Sequence, residues 1–143
     1  MMMISLFFVL LTGPALADTP APSPLCGAAE TTEFSCTLSD SRPLAFCATA
    51  DHEEVRGEVS LHIGAGPTAI VQRSASSAFV YDRYTRPMTT YLSIGFTQES
   101  ADWTVYDESV NDERAAGLRA GELDIKCGEI VGSLMRLEDN LRR

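Results

Sequence analysis

The sequence predicts a mostly β fold: a small antiparallel barrel or sandwich of about eight strands with a C-terminal helix or arm, stapled by disulfides. Three observations predict it. Short runs of alternating apolar and polar residues recur, with turn signals at a spacing of about 8–12 residues. The chain carries four cysteines, an even number. Only the tail, "SLMRLEDNLRR", shows a good helical period, with Leu134, Leu137 and Leu141 on one face.

The amino terminus, "MMMISLFFVLLTGPALADTP", decides how those cysteines are read. Ile4 to Leu11 form a short apolar run, Gly13-Pro14 breaks it, and Ala15-Leu16-Ala17 places small residues where a signal peptidase requires them. The run is well short of the ~20 apolar residues of a spanning helix. Residues 1–17 are therefore expected to be a secretory signal peptide, and the protein to be periplasmic or secreted. No lysine or arginine precedes the apolar run. Residues 18–24, "DTPAPSP", have too little apolar surface to fold and read as a flexible tether. Residues 25–143 then form a single β-rich domain.

In an oxidising compartment four cysteines default to two disulfides. No C-x2-4-C pair stands near histidines, as a zinc site would want, and there is no redox-type C-x-x-C. Of three possible connectivities, Cys36–Cys127 with Cys26–Cys47 is favoured, because it ties the first strand to the last and clamps the tether. "TEFSCTLSDSRPLAFC" reads as a hairpin turning at "SDSR". A four-residue loop there places Cys36 opposite Ala45 and Phe34 opposite Cys47, making the two hairpin cysteines diagonal neighbours.

Downstream, "GEVSLHI" sets Val59, Leu61 and Ile63 on one face and Ser60 and His62 on the other, and "GAGP" ends it before "TAIVQR". "SAFVYDRY", "TTYLSIGFT" and "ADWTVYD" follow as aromatic-rich strands, and "GELDIKC" turns Leu123, Ile125 and Cys127 inward. The intervening "ESVNDERAAGLRAG" reads as a loop with a short helical turn. Ser133 is a candidate cap for the terminal helix.

The ionisable inventory excludes most chemistry. His52 sits in the acidic loop "ADHEEVRGE" and His62 points outward from a strand, and both read as solvent-exposed rather than as metal ligands or bases. The zincin spacing H-E-x-x-H, the serine-hydrolase elbow G-x-S-x-G and a phosphate-binding glycine loop are all missing. The expectation is no enzyme, no cofactor and no metal. The net charge of −9 disfavours nucleic acid and anionic membrane surfaces and favours a basic partner.

Between Phe79 and Tyr106 lie seven aromatic residues, most of them expected in the core as cross-strand pairs. Arg83 and Arg86 interleave with Tyr81 and Tyr84, and arginine beside tyrosine is a common interface composition. With Ser77 these make the candidate binding set: Ser77, Tyr81, Arg83, Tyr84 and Arg86.

The motifs "FSC", "LAFC", F-x-Y-x-x-Y-x-R (Phe79, Tyr81, Tyr84, Arg86), "YLSIGF", "WTVYD" and "IKC" resemble a family of small exported, cysteine-containing bacterial proteins of uncharacterised activity. That resemblance implies an envelope location and a β-rich fold. Ser77-Ala78-Phe79-Val80-Tyr81 is also similar to the S-G-x-x-Y loop of periplasmic C-type lysozyme inhibitors, with Ala78 in place of the glycine and without the aromatic-lysine-glycine segment that follows. This second resemblance implies a small barrel that binds a basic protein such as a C-type lysozyme. The resulting expectation is an exported protein-binding or inhibitory module, with a structural or accessory envelope protein as the alternative.

Overall fold

The computed structural model describes residues 23–50, 57–76 and 78–142. The expected signal peptide, most of the expected tether, His52 with its acidic neighbours, and Ser77 lie outside the described residues. Nine strands form: β1 (Glu30–Leu38), β2 (Pro43–Thr49), β3 (Val59–Ile63), β4 (Ile70–Arg73), β5 (Val80–Arg86), β6 (Thr89–Gln98), β7 (Ala101–Val110), β8 (Glu113–Ala120) and β9 (Leu123–Gly132). They make one antiparallel sheet in the order β4-β3-β2-β1-β9-β8-β7-β6-β5, curled into a half-barrel. Two meanders, β1–β4 and β5–β9, thus meet at the β1–β9 pair. Among the described residues no helix is long and apolar enough to cross a membrane.

Strand alternation selects the core. Phe34, Leu44, Phe46, Leu61, Ile94 and Leu118 face the concave side and are fully buried, each contributing about 1.5–3 kcal/mol by leaving water. Phe79 stands edge-on to Phe46 and to Phe96, with ring centroids 6.0 and 6.3 Å apart, so it links β2 to β6 across the curl. A hydrogen bond from the Gln72 amide to the Gln98 carbonyl oxygen joins β4 to β6.

Both favoured disulfides are present, Cys26–Cys47 and Cys36–Cys127. The hairpin register differs from the sequence reading by one residue. Cys36 faces Leu44, Phe34 faces Phe46, and Cys47 faces Thr32. The turn is shorter than expected: Leu38 N–H donates to the Arg42 carbonyl, and Ser41 adopts a left-handed φ of 71°. A one-residue change of register turns side chains to the other face. Cys36 therefore lies in the concave core while Cys47 points to the convex side, so the two cannot be diagonal neighbours.

The segment expected to be a loop between Glu108 and Gly121 is instead the end of β7 and all of β8. Asn111 and Asp112, at φ 49° and 66°, form a two-residue hairpin turn of the kind that asparagine and aspartate tolerate. The tail is also different. Instead of one helix it forms a 3-10 turn, Leu134–Leu137, followed by one α-helical turn, α1 (Glu138–Leu141). Ser133 Oγ accepts from the Met135 N–H as a cap, Leu134 and Leu137 are fully buried, and Leu141 packs against the core. Leu123, expected to face inward, is half exposed at the start of β9. The tail enters the half-barrel through a close approach at Gly132, where φ is +75° and a Cβ would stand 2.1 Å from the Glu33 carbonyl oxygen.

Candidate functional site

Four of the candidate binding residues, Tyr81, Arg83, Tyr84 and Arg86, lie on β5, the strand at one edge of the sheet, and alternation divides them between two faces. Tyr81, paired with Ile94, and Arg83, paired with Leu92, sit on the concave side. Tyr81 packs on the core, and its hydroxyl is buried with no hydrogen-bond partner among the described residues. Burial, with the Glu138 carboxylate nearby, holds that phenol above its ordinary pKa. Arg83 donates to Glu138 at 2.9 Å and pins α1 to β5, so it does not stack on the tyrosines.

Tyr84 and Arg86 occupy the convex side with Tyr91 as their neighbour on β6. The rings of Tyr84 and Tyr91 stack with centroids 6.1 Å apart at an interplanar angle of 28°. Tyr84 is 55% exposed, and Val80 and Met88 are each 65% exposed. Val110, partly exposed, pairs with Thr89 at the same end of the sheet. The structure therefore brings Tyr84 and Arg86 together with Tyr91, and separates them from Tyr81 and Arg83.

A second polar constellation was not visible as a site in the sequence. On the convex face of the other meander, β1, β2 and β3 bring Glu30, Cys47, Ser60 and His62 together, although they come from three separate strands. Ser60 Oγ lies 2.9 Å from Glu30 Oε2 and 3.1 Å from His62 Nε2. The second Glu30 oxygen accepts from the Gly27 N–H at 2.9 Å. His62 is half-buried rather than solvent-exposed, and Ser60 is fully buried.

The protonation pattern follows from these partners. Burial acts to raise the Glu30 carboxyl, but the Gly27 N–H, the Ser60 hydroxyl and the charges of His62 and Arg73 outweigh it and hold Glu30 below its ordinary value. An ionised Glu30 only accepts, so Ser60 donates to it and receives the Nε2–H of His62. Burial, opposed by Glu30 and aided by Arg73, holds the imidazole pKa below its ordinary value. This arrangement is the reverse of a hydrolase dyad. There the histidine takes the serine proton, whereas here the proton is directed at Glu30.

The only sequence signal for this constellation was the placement of Ser60 and His62 on one strand face; Glu30 and Cys47 join them through strand pairing. No protein-family model, curated protein or solved structure matches the chain.

Proposed function

We propose that this is an exported protein-binding or inhibitory module of the cell envelope that engages a basic protein through the convex end of β5 and β6. The observation that carries the reading is the stacked Tyr84–Tyr91 pair, with exposed Met88 in the turn that follows the edge strand and exposed Val80 at that strand's other end. Tyrosine supplies large contact area at low entropic cost, and exposed apolar groups on an edge strand are uncommon without a partner. The acidic charge of the chain favours a basic one. Export is supported by the amino-terminal pattern and by two disulfides, which persist in oxidising compartments.

The resemblance to lysozyme inhibitors makes a C-type lysozyme the first partner to test, but on a surface containing Tyr84 rather than Tyr81. The test is capture on the immobilised, oxidised protein from an envelope extract supplemented with C-type lysozyme, followed by salt elution. A retained basic protein whose affinity falls at least ~10-fold with Tyr84→Ala, and is unchanged with Tyr81→Phe, supports the reading. Loss with Tyr81→Phe but not with Tyr84→Ala, or a column that retains nothing, overturns it. The structural or accessory alternative predicts a dependence on the C-terminal residues 133–143; because Leu134 and Leu137 are buried, deleting that tail would also disturb the fold, so the binding test is the one that separates the two readings.

A further inference from the structure

We propose that opening the Cys26–Cys47 disulfide converts the convex face of β1–β3 into a binding site for a thiophilic divalent cation such as Zn2+, with Cys26, Cys47, His62 and Glu30 as ligands. The proposal is independent of the protein-binding reading and uses the opposite end of the sheet.

Geometry is the first support. One donor atom each from Glu30, Cys47 and His62 lies within 4.8 Å of the others, and the Cys26 sulfur is bonded to that of Cys47. In a tetrahedral zinc site with Zn–S bonds of ~2.3 Å, neighbouring donors stand about 3.5–3.8 Å apart. The three donors therefore need to converge by about 1 Å, which side-chain rotation can supply. Two sulfurs, one imidazole and one carboxylate suit zinc in both number and softness.

The hydrogen bonds around the donors are the second support. Ser60 Oγ stands 3.1 Å from His62 Nε2 and 2.9 Å from Glu30 Oε2, so one hydroxyl already orients two of the donor side chains, as outer-shell partners orient the ligands of metal sites. Each Glu30 oxygen is anchored by one donor, Gly27 N–H or Ser60 Oγ–H, and keeps capacity for a further bond.

The location of the disulfide is the third. Cys26 belongs to the short segment ahead of β1, where Gly27, Ala28 and Ala29 are exposed. Breaking its bond frees that segment while Cys36–Cys127, on the concave side, continues to hold β1 to β9. The required co-reactant is a dithiol reductant. It passes two electrons to the sulfur–sulfur bond and becomes a disulfide, while Cys26 and Cys47 each gain a proton. Zn2+ then displaces those two protons to solvent as both sulfurs bind as thiolates.

The experiment titrates Co2+, as a spectroscopic stand-in, and Zn2+ into the folded protein in three forms: oxidised, treated with a limiting dithiol, and Cys26→Ser, which frees Cys47 while sparing Cys36–Cys127. The expected result is one ion per chain with a thiolate-to-cobalt charge-transfer band in the second and third forms. Affinity should be at least ~100-fold above the oxidised form, and lowered at least ~10-fold by adding His62→Ala. Equal affinity in oxidised and opened forms, an absent charge-transfer band, or insensitivity to His62→Ala overturns the proposal. Amide dispersion in the NMR spectrum monitors the fold. A chain with no folded state once this disulfide is open overturns it as well, since the ligands then have no sheet to assemble them.

Discussion

Asp107 accepts a hydrogen bond from the backbone N–H of Leu134, 27 residues further along the chain, at 3.2 Å. Asp107 is only 4% exposed and also receives two bonds from Arg114, at 2.9 and 2.8 Å. Arg114 in turn donates to the Gly132 carbonyl at 2.7 Å. One buried carboxylate thus fastens the C-terminal tail to β7 and β8. Asp107→Ala leaves the buried N–H of Leu134 without its acceptor and Arg114 without its partner, and a loss of about 1–3 kcal/mol is expected from the stranded N–H. Arg114→Ala should cost less, since its side chain is 37% exposed and solvent screens it. Urea unfolding measures both. Equal effects would show that the buried N–H is indifferent to Asp107.

The two disulfides should contribute unequally. They close intervals of 21 and 91 residues, for which the chain-entropy model gives roughly 3 and 4.6 kcal/mol. Calorimetric melting of Cys26→Ser and of Cys36→Ser should show a larger drop in Tm for the second. The reverse order would mean that the tether clamp outweighs the staple between meanders.

Gly117 should resist even alanine. A Cβ there would meet the Ile125 carbonyl oxygen at 2.5 Å and the Tyr106 hydroxyl at 2.7 Å. Tyr106 cannot yield easily, because it donates to Asp124 at 2.8 Å, accepts from Lys126 at 3.0 Å and lies under the Arg119 guanidinium at 3.7 Å. Gly117→Ala is expected to cost about 2 kcal/mol or more through overpacking. Gly121→Ala offers a contrast, since open space surrounds that position and only its φ of +59° opposes a side chain. Denaturant midpoints for the two variants check the ordering.

Stability should decline as pH falls from about 7 to about 5, with His62 as one source. Burial lowers the folded-state pKa of His62 below 6.5, so the unfolded chain takes up a proton first. Its contribution is full above the unfolded value and is lost as pH falls through the folded one. Glu30, also lowered in the folded state, adds a loss at still lower pH. His62→Asn should flatten the first part of the curve of Tm against pH. A slope identical to wild type would show that His62 titrates alike in both states.

The β architecture was legible because it rests on patterns within a few residues, apolar alternation and turn residues, whereas the cysteine pairing, one bridge spanning 91 residues, came from the choice that ties the first strand to the last and clamps the tether. β8 was not legible. Its Ala115, Ala116 and Gly117 lack strand-favouring side chains, and at Gly117 the Tyr106 ring and the Ile125 carbonyl occupy the space of a side chain, a demand that tertiary packing imposes and local propensity does not show. The hairpin register failed for a related reason, since Ser41 takes a left-handed conformation that serine rarely signals. Of the candidate sites, the convex pair Arg86 and Tyr84 followed from composition, but the division of Tyr81 from Tyr84 required the pairing of β5 with β6. The Glu30–Ser60–His62 constellation depends on the pairing of β1, β2 and β3, which no single stretch encodes.

The β1–β9 pair has a consequence for how the two halves are connected. The backbone joins the meanders once, through residues 74–79, and Cys36–Cys127 joins them a second time at the far side. The main chain and the sulfur bridge together trace a closed loop through both halves. A peptide bond cut between β4 and β5 would open that loop without releasing either half, as would a cut at any other single peptide bond between Cys36 and Cys127, because the sulfur bridge still joins the two pieces.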